Sequence, residues 1–172
     1  MEDARGNRWI GASAARLEDD ALLRGKGRFL DDIAFDGLLE SSFLRSPLAH
    51  SRIRGIDVEA ARGLAGVIAV FRYDDLRPLM TSDRIPLAMP AGGIRFDVDP
   101  FVLAHDEVCY VGEPIALVVA TSRAIAEDAI ALIGLDIEPL PAVVDPVEGL
   151  ASNSPRARFD CPDNHVARTG ID

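Results

Sequence analysis

Six consecutive apolar residues, Ile115 to Ala120, are the stretch that most restricts what this 172-residue chain can fold into. A strand with one face in water alternates apolar and polar residues. An unbroken run of this length instead suits a strand buried on both faces. It is far too short for a membrane-spanning helix, which needs ~20 residues. The residues just before it, YVGEP (Tyr110–Pro114), place a single carboxylate, Glu113, between Gly112 and Pro114. A charged group at the mouth of a buried strand has three readings: a catalytic base, a metal ligand, or the last solvated residue before the core.

The sequence around this strand supplies elements to cover it. Ser122 caps a helix in which Ile125, Ala129, Leu132 and Ile133 repeat at helical spacing, while Arg123, Glu127 and Asp128 point elsewhere. GLDIEPLPAVV then returns as a strand ending at two prolines. Upstream, GLLESSFLR and HSRIRGID read as strands separated by Ser46-Pro47, because proline cannot donate to a ladder. Asp57 can cap the short helix VEAARGL, with Gly63 and Gly66 closing it, and VIAVFR follows as a strand. RLEDDALLRGKGRFLDDIAFDG reads as an extended leading segment with short turns. DDLRPLM suits one helical turn, but PLAMPAGGIRFDVDP holds too many prolines and glycines for a regular element, so much of 74–105 reads as a long surface loop. After Leu150 apolar content falls and periodicity ends. The expected organisation is an N-terminal tail (1–15), one α+β domain (16–150) with a mixed sheet of at least five strands and two helices, and an extended linker or tail (151–172).

Charge narrows the partners. Eighteen basic against 28 acidic residues leave a net charge of −10, which repels nucleic-acid backbones and anionic membranes. The opening MEDARGNRWIG lacks the apolar stretch of a signal peptide. Cys109 and Cys161 are 52 positions apart with no CxxC partner, so both read as free thiols in a reducing cytoplasm.

Few residues suggest chemistry. Gly25 and Gly27 flank Lys26, but no third glycine follows and no apolar strand precedes, so a dinucleotide-binding turn fails on context. His50, His105 and His165 lie far apart without metal-ligand spacing. His50, between two strands, suits a structural hydrogen bond. The pairs Asp19-Asp20, Asp31-Asp32 and Asp74-Asp75 fall at turns, where neighbouring side chains on an extended chain diverge. Arg45 ends a strand and can clamp two segments by holding a carboxylate. Cys109 lacks a neighbouring base or helix N-terminus to lower its pKa, which makes it a small core residue rather than a nucleophile. Composition and spacing therefore assign no catalytic, cofactor-binding or metal-ligating residue.

Four blocks in order add a different kind of information: WIGASAARLEDDALLRGKGRFLDDI, GLLESSFLRSPLAHSRIRGIDVEAARGLAGVIAVFRYDDL, DEVCYVGEPIALVVATSRAIAEDAI and EPLPAVVDPVEGL. Together they resemble the N-terminal region of the large subunits of bacterial molybdenum hydroxylases, the family of aerobic carbon monoxide dehydrogenase, xanthine dehydrogenase and aldehyde oxidase. The resemblance implies an α/β-hammerhead domain within an oxidoreductase acting on a small aldehyde, an N-heterocycle or a carbon monoxide-like substrate. It implies molybdopterin in a catalytic region, with iron–sulfur clusters and FAD on partner subunits. The family's molybdopterin-binding segments and catalytic glutamate follow the hammerhead, and HVARTGID resembles the linker toward them. The resemblance thus places no catalytic residue, cofactor or metal on this chain. Glutamine commonly stands at the position of Glu113 in the family, and a neutral amide cannot act as a base. Glu113 is accordingly expected to be a solvated or hydrogen-bonded residue at the start of a strand. The alternative is a stand-alone binding module or truncated relic without redox activity, with the loop at 86–100 as its contact surface.

Overall fold

The computed structural model of the protein describes residues 13, 15–87 and 93–168. The expected 1–15 tail lies outside them except for Ser13 and Ala15, as do part of the 86–100 loop and the last four residues. The chain divides into two units, Met1–Leu38 and Leu39–Asp172. In the first, a five-residue helix α1 (Asp19–Leu23) interrupts the segment expected to be extended. Its acidic first turn suits the positive helix end. Gly25, at φ +66°, turns the chain out while Lys26 N donates back to Ala21 O at 2.8 Å. A 3₁₀ turn at Leu30–Asp32 follows, held by Asp32 Oδ2 accepting from Phe29 N at 2.9 Å.

Among the described residues the second unit holds six strands: β1 (Glu40–Arg45), β2 (Ser51–Asp57), β3 (Val67–Phe71), β4 (Glu107–Val108), β5 (Pro114–Ala120) and β6 (Gly134–Pro139). They form two three-stranded sheets, ordered β1-β5-β3 and β4-β2-β6. Every pairing between these strands is antiparallel. This corrects the expectation of one mixed sheet. A β-α-β succession gives parallel neighbours only when helix and strands return to the same sheet. Here α2 (Glu59–Arg62) carries the chain from β2 in the second sheet to β3 in the first. Helix α4 (Arg123–Ala131) carries it back from β5 to β6. Between them, Tyr73–Leu76 forms the expected helical turn α3, and Pro146–Gly149 adds α5 after β6.

Strand β5 is central in the first sheet, and none of its residues is exposed. Ala116, Val118 and Ala120 are fully buried beside Val70, against Ala61 of α2 and Ala126 and Ala129 of α4. Alanines on both sides of this contact let the helices lie close to the sheet. Ile115 instead joins Ala104 and Val108 in a second cluster, closed by Ile53, Ile56 and Leu135 from the other sheet. Leu103 and Ala104, at 1% and 0% exposure, show that the end of the expected surface loop belongs to the core.

Helix α4 starts as read, with Ser122 Oγ accepting from Ile125 N at 3.3 Å. Arg123 and Glu127 pair at 2.9 Å on its outer face. Leu132, expected in the apolar stripe, is 44% exposed because it is the C-cap and the chain is already leaving the helix. Ala126 takes that place in the core. Asp57 Oδ1 accepts from Glu59 N at 3.1 Å, but from one position before the N-cap of α2, which is Val58. No helix among the described residues is long and apolar enough to cross a membrane.

Gly66 connects α2 to β3 at φ +92°, and a Cβ there would lie 2.7 Å from Ile125 Cδ1 and 3.0 Å from Thr121 Oγ1. Its carbonyl accepts from Thr121 N at 2.9 Å, which fixes the backbone beside α4. Gly66→Ala is expected to destabilise the fold by about 1–2 kcal/mol from backbone strain alone. Urea denaturation should show a lower midpoint with an unchanged slope; an unchanged midpoint would show that this turn relaxes freely.

Candidate functional site

Within the second unit, a cavity of about 150 Å³ opens between the start of β5, β4 and the C-terminal segment. Its walls are Phe101, His105, Asp106, Glu107, Cys109, Glu113, Arg158, Phe159 and Asp160. The turn that delivers Glu113 is built from backbone. Gly112, at φ +87°, donates its N–H to Ser46 O at 2.8 Å, and Ser46 N donates to Glu113 O at 2.9 Å. Pro114 then begins β5. Arg45 closes the turn by donating from Nη1 to Gly112 O at 2.8 Å. The expected clamp therefore exists, but on a carbonyl rather than a carboxylate.

Glu113 is 3% exposed, so the solvated reading is corrected and the hydrogen-bonded one stands. Its Oε2 accepts from Cys109 N, capping the turn it belongs to. Burial pushes its pKa up, against the opposing pull of the Cys109 amide and Arg158. Burial, reinforced by Glu107 and Glu113, also pushes the Cys109 thiol up to about 12. A thiol held protonated in this way is a poor nucleophile, but Cys109 is only partly buried and lines the cavity, so its reading as a core residue is corrected.

Arginines neutralise the rim. Arg158 grips Asp160 with two bonds of 2.9 and 2.8 Å, and Arg84 adds a third at 2.8 Å. The Arg158 bond, helped by Arg84, holds the Asp160 carboxyl well below the usual range. Arg84 also lies 4.0 Å over the Phe101 ring. Sequence reading missed this group altogether. Arg84 and Asp160 are 76 positions apart, and no local pattern links them.

The histidines do not converge. His50 is buried and bonded to Pro141 O at 2.7 Å and Glu107 Oε1 at 2.8 Å, the structural role expected of it. His105 stacks on Tyr73 at 4.1 Å and meets Asp106 at 2.9 Å. His165 is exposed on the C-terminal segment. Among the described residues, no group of three or more His, Cys, Asp or Glu side chains could hold a metal ion. The acid pairs stay at turns and termini. Asp32 and Asp75 each accept from the backbone N–H three residues earlier.

The cavity does not suit a phosphate-bearing pterin. Four carboxylates line it, its one arginine is committed to Asp160, and its volume falls below the ~300 Å³ of small-molecule pockets. Chemically, it holds a buried carboxyl and a thiol whose pKa burial raises, beneath a segment strapped by arginines.

Comparisons with known proteins set this geometry in context. The family model described as "Aldehyde oxidase and xanthine dehydrogenase, a/b hammerhead domain" matches residues 24–141. The nicotine 6-hydroxylase large subunit of Paenarthrobacter nicotinovorans is 44% identical over 155 residues, covering 90% of this chain and 18% of its own length. The carbon monoxide dehydrogenase large chain of Afipia carboxidovorans is 37% identical over 161 residues, covering 94% and 19%. Among solved structures, quinoline 2-oxidoreductase from Pseudomonas putida 86 aligns with a TM-score of 0.77 at 39% identity, over 92% of this chain and 20% of its own. The chain thus spans about a fifth of the length of the curated relatives it matches.

Two outcomes are expected. Because the native pKa of Glu113 lies above its ordinary value near 4.5, the folded chain holds this proton more tightly than the unfolded chain. Ionised Glu113 therefore lowers stability above that range, and the loss vanishes as pH falls below it. Glu113→Gln keeps an acceptor for Cys109 N and should raise the urea midpoint at pH 7, with the gain shrinking toward pH 4. A lower midpoint for the glutamine variant at pH 7 would contradict the account. For the thiols, Cys109 and Cys161 should both resist a thiol reagent at pH 8 in the folded chain and react when it is unfolded. Both have raised pKa values, and burial is the leading cause for each.

Proposed function

Since the chain belongs to the a/b hammerhead domain family of aldehyde oxidase and xanthine dehydrogenase, we propose that it is the hammerhead portion of a molybdenum hydroxylase large subunit. The observation that carries this reading is the 44% identity to a nicotine 6-hydroxylase large subunit across 90% of the chain. In this role the chain packs against the molybdopterin-binding catalytic region and against iron–sulfur and flavin (FAD) subunits. The chemistry, oxidation of a small aldehyde, an N-heterocycle or a carbon monoxide-like substrate, takes place outside it. Molybdopterin supplies that chemistry when bound by the catalytic region. No catalytic, cofactor-binding or metal residue is proposed for this chain.

The domain organisation proposed for this role is a tail over 1–15, the hammerhead over 16–150 and a linker over 151–172. A cytoplasmic location goes with it.

Exposed apolar side chains support a packing role. In the first unit Leu17, Leu23, Leu30 and Phe35 are 102%, 88%, 82% and 64% exposed. A solitary soluble domain would normally withdraw such residues from water. In the second unit the open face of the first sheet carries Phe43, paired with Leu117, which is paired in turn with Phe71. An affinity-tagged chain, isolated from its own cells, should co-purify with molybdenum and a molybdopterin-containing polypeptide. Recovery of a stable, molybdenum-free monomer would overturn the proposal.

A further inference from the structure

We propose that His50 and Glu107 are positioning residues that latch the segment after α5 onto the two-sheet unit. Glu107 lies on β4, its side chain only 11% exposed. Both of its carboxylate oxygens accept from the backbone N–H of Phe159, at 3.0 and 2.9 Å. The same carboxylate meets His50 Nε2 at 2.8 Å, and His50 Nδ1 meets Pro141 O at 2.7 Å. One buried pair therefore joins four separate stretches: the β1–β2 turn, β4, the chain after β6, and the C-terminal segment. The Phe159 ring seals the contact, 5.9 Å from the His50 ring and 5.0 Å from the Arg52 guanidinium.

Donor chemistry makes the junction selective. A carbonyl can only accept, so His50 Nδ1 carries a hydrogen toward Pro141. An ionised carboxylate also only accepts, so the Nε2 contact requires one further proton on the pair. Such a junction rewards one arrangement of its groups and leaves buried acceptors opposed in any other. Separate bonds hold the rest of the segment. Arg158 donates to Val98 O at 3.0 Å, and Arg95 N and Arg168 N close backbone bonds of 2.9 Å to Val166 and Gly93. If the chain is the hammerhead of a large subunit, as proposed above, the latch sets the direction in which the polypeptide approaches the catalytic region.

The test is hydrogen exchange, followed by mass spectrometry, on the protein purified with whatever partners it retains, so it does not depend on any enzyme activity. Glu107→Ala should speed exchange in peptides covering 157–161 by about tenfold, while peptides from β5 keep their protection. Glu107→Gln should retain the protection of 157–161. Its amide oxygen accepts from Phe159, and its NH₂ donates to an unprotonated Nε2. Unchanged exchange at 157–161 in Glu107→Ala would overturn the latch. So would equal loosening of β5, or a glutamine variant that behaves like alanine. Failure to find molybdenum with the protein would count against the proposed function but leaves this result to be judged by itself.

Discussion

The central place of β5 in the first sheet is the constraint on which the second unit depends. A strand of Ile, Ala, Leu and Val with no exposed residue has to be paired on both edges and covered over Ile115, Ala116, Val118 and Ala120, while Leu117 and Val119 stay half-buried. Strands β1 and β3 take the edges. Helices α2 and α4 meet Ala116, Val118 and Ala120, and the second sheet meets Ile115. Hydrophobic burial here is concentrated in small side chains, so the contact relies on close approach rather than bulk.

The same strand also sets the polar side of the molecule. Its start must turn sharply out of the core, and that turn brings Glu113 into the interior with its carboxylate folded back on the Cys109 amide. Around it, carboxylates outnumber cations, and the balance is restored by arginines from distant parts of the chain. A site of this kind is suited to holding chain segments together. Its carboxyl is bonded to the Cys109 amide, and burial raises the pKa of both the carboxyl and the thiol.

What the sequence made legible follows from the range of each signal. The run at Ile115–Ala120 and the Ser122 cap are local patterns, and each appears in the structure where it was read. Helix α5 was not anticipated, although Asp145-Pro146 offers a local start signal, its aspartate accepting from Val147 N at 2.7 Å. The division into two sheets was not legible, because hydrophobic alternation says which face a residue takes but not which strand it pairs with. The burial of Glu113 and the contacts of Arg84 and Glu107 were hidden for a similar reason. Arg84 meets Asp160 across 76 positions and Glu107 meets Phe159 across 52, and a single sequence carries no record of such distances. The ordered blocks supplied the family identity, which no individual site residue carried.

Consecutive strands alternate between the two sheets without exception. The first sheet is complete only when residues 40–120 are present, and the second only with 51–139. No hairpin of neighbouring strands can form first and wait for the rest. Contacts of long sequence separation carry a loop-closure cost before they are rewarded, and they slow folding. On the ribosome, residues 40–120 must emerge before the first sheet can close, and residues up to 139 before the second can. Until then β1 and β3 stay unpaired, because the strand they share, β5, is the last of the three to be made.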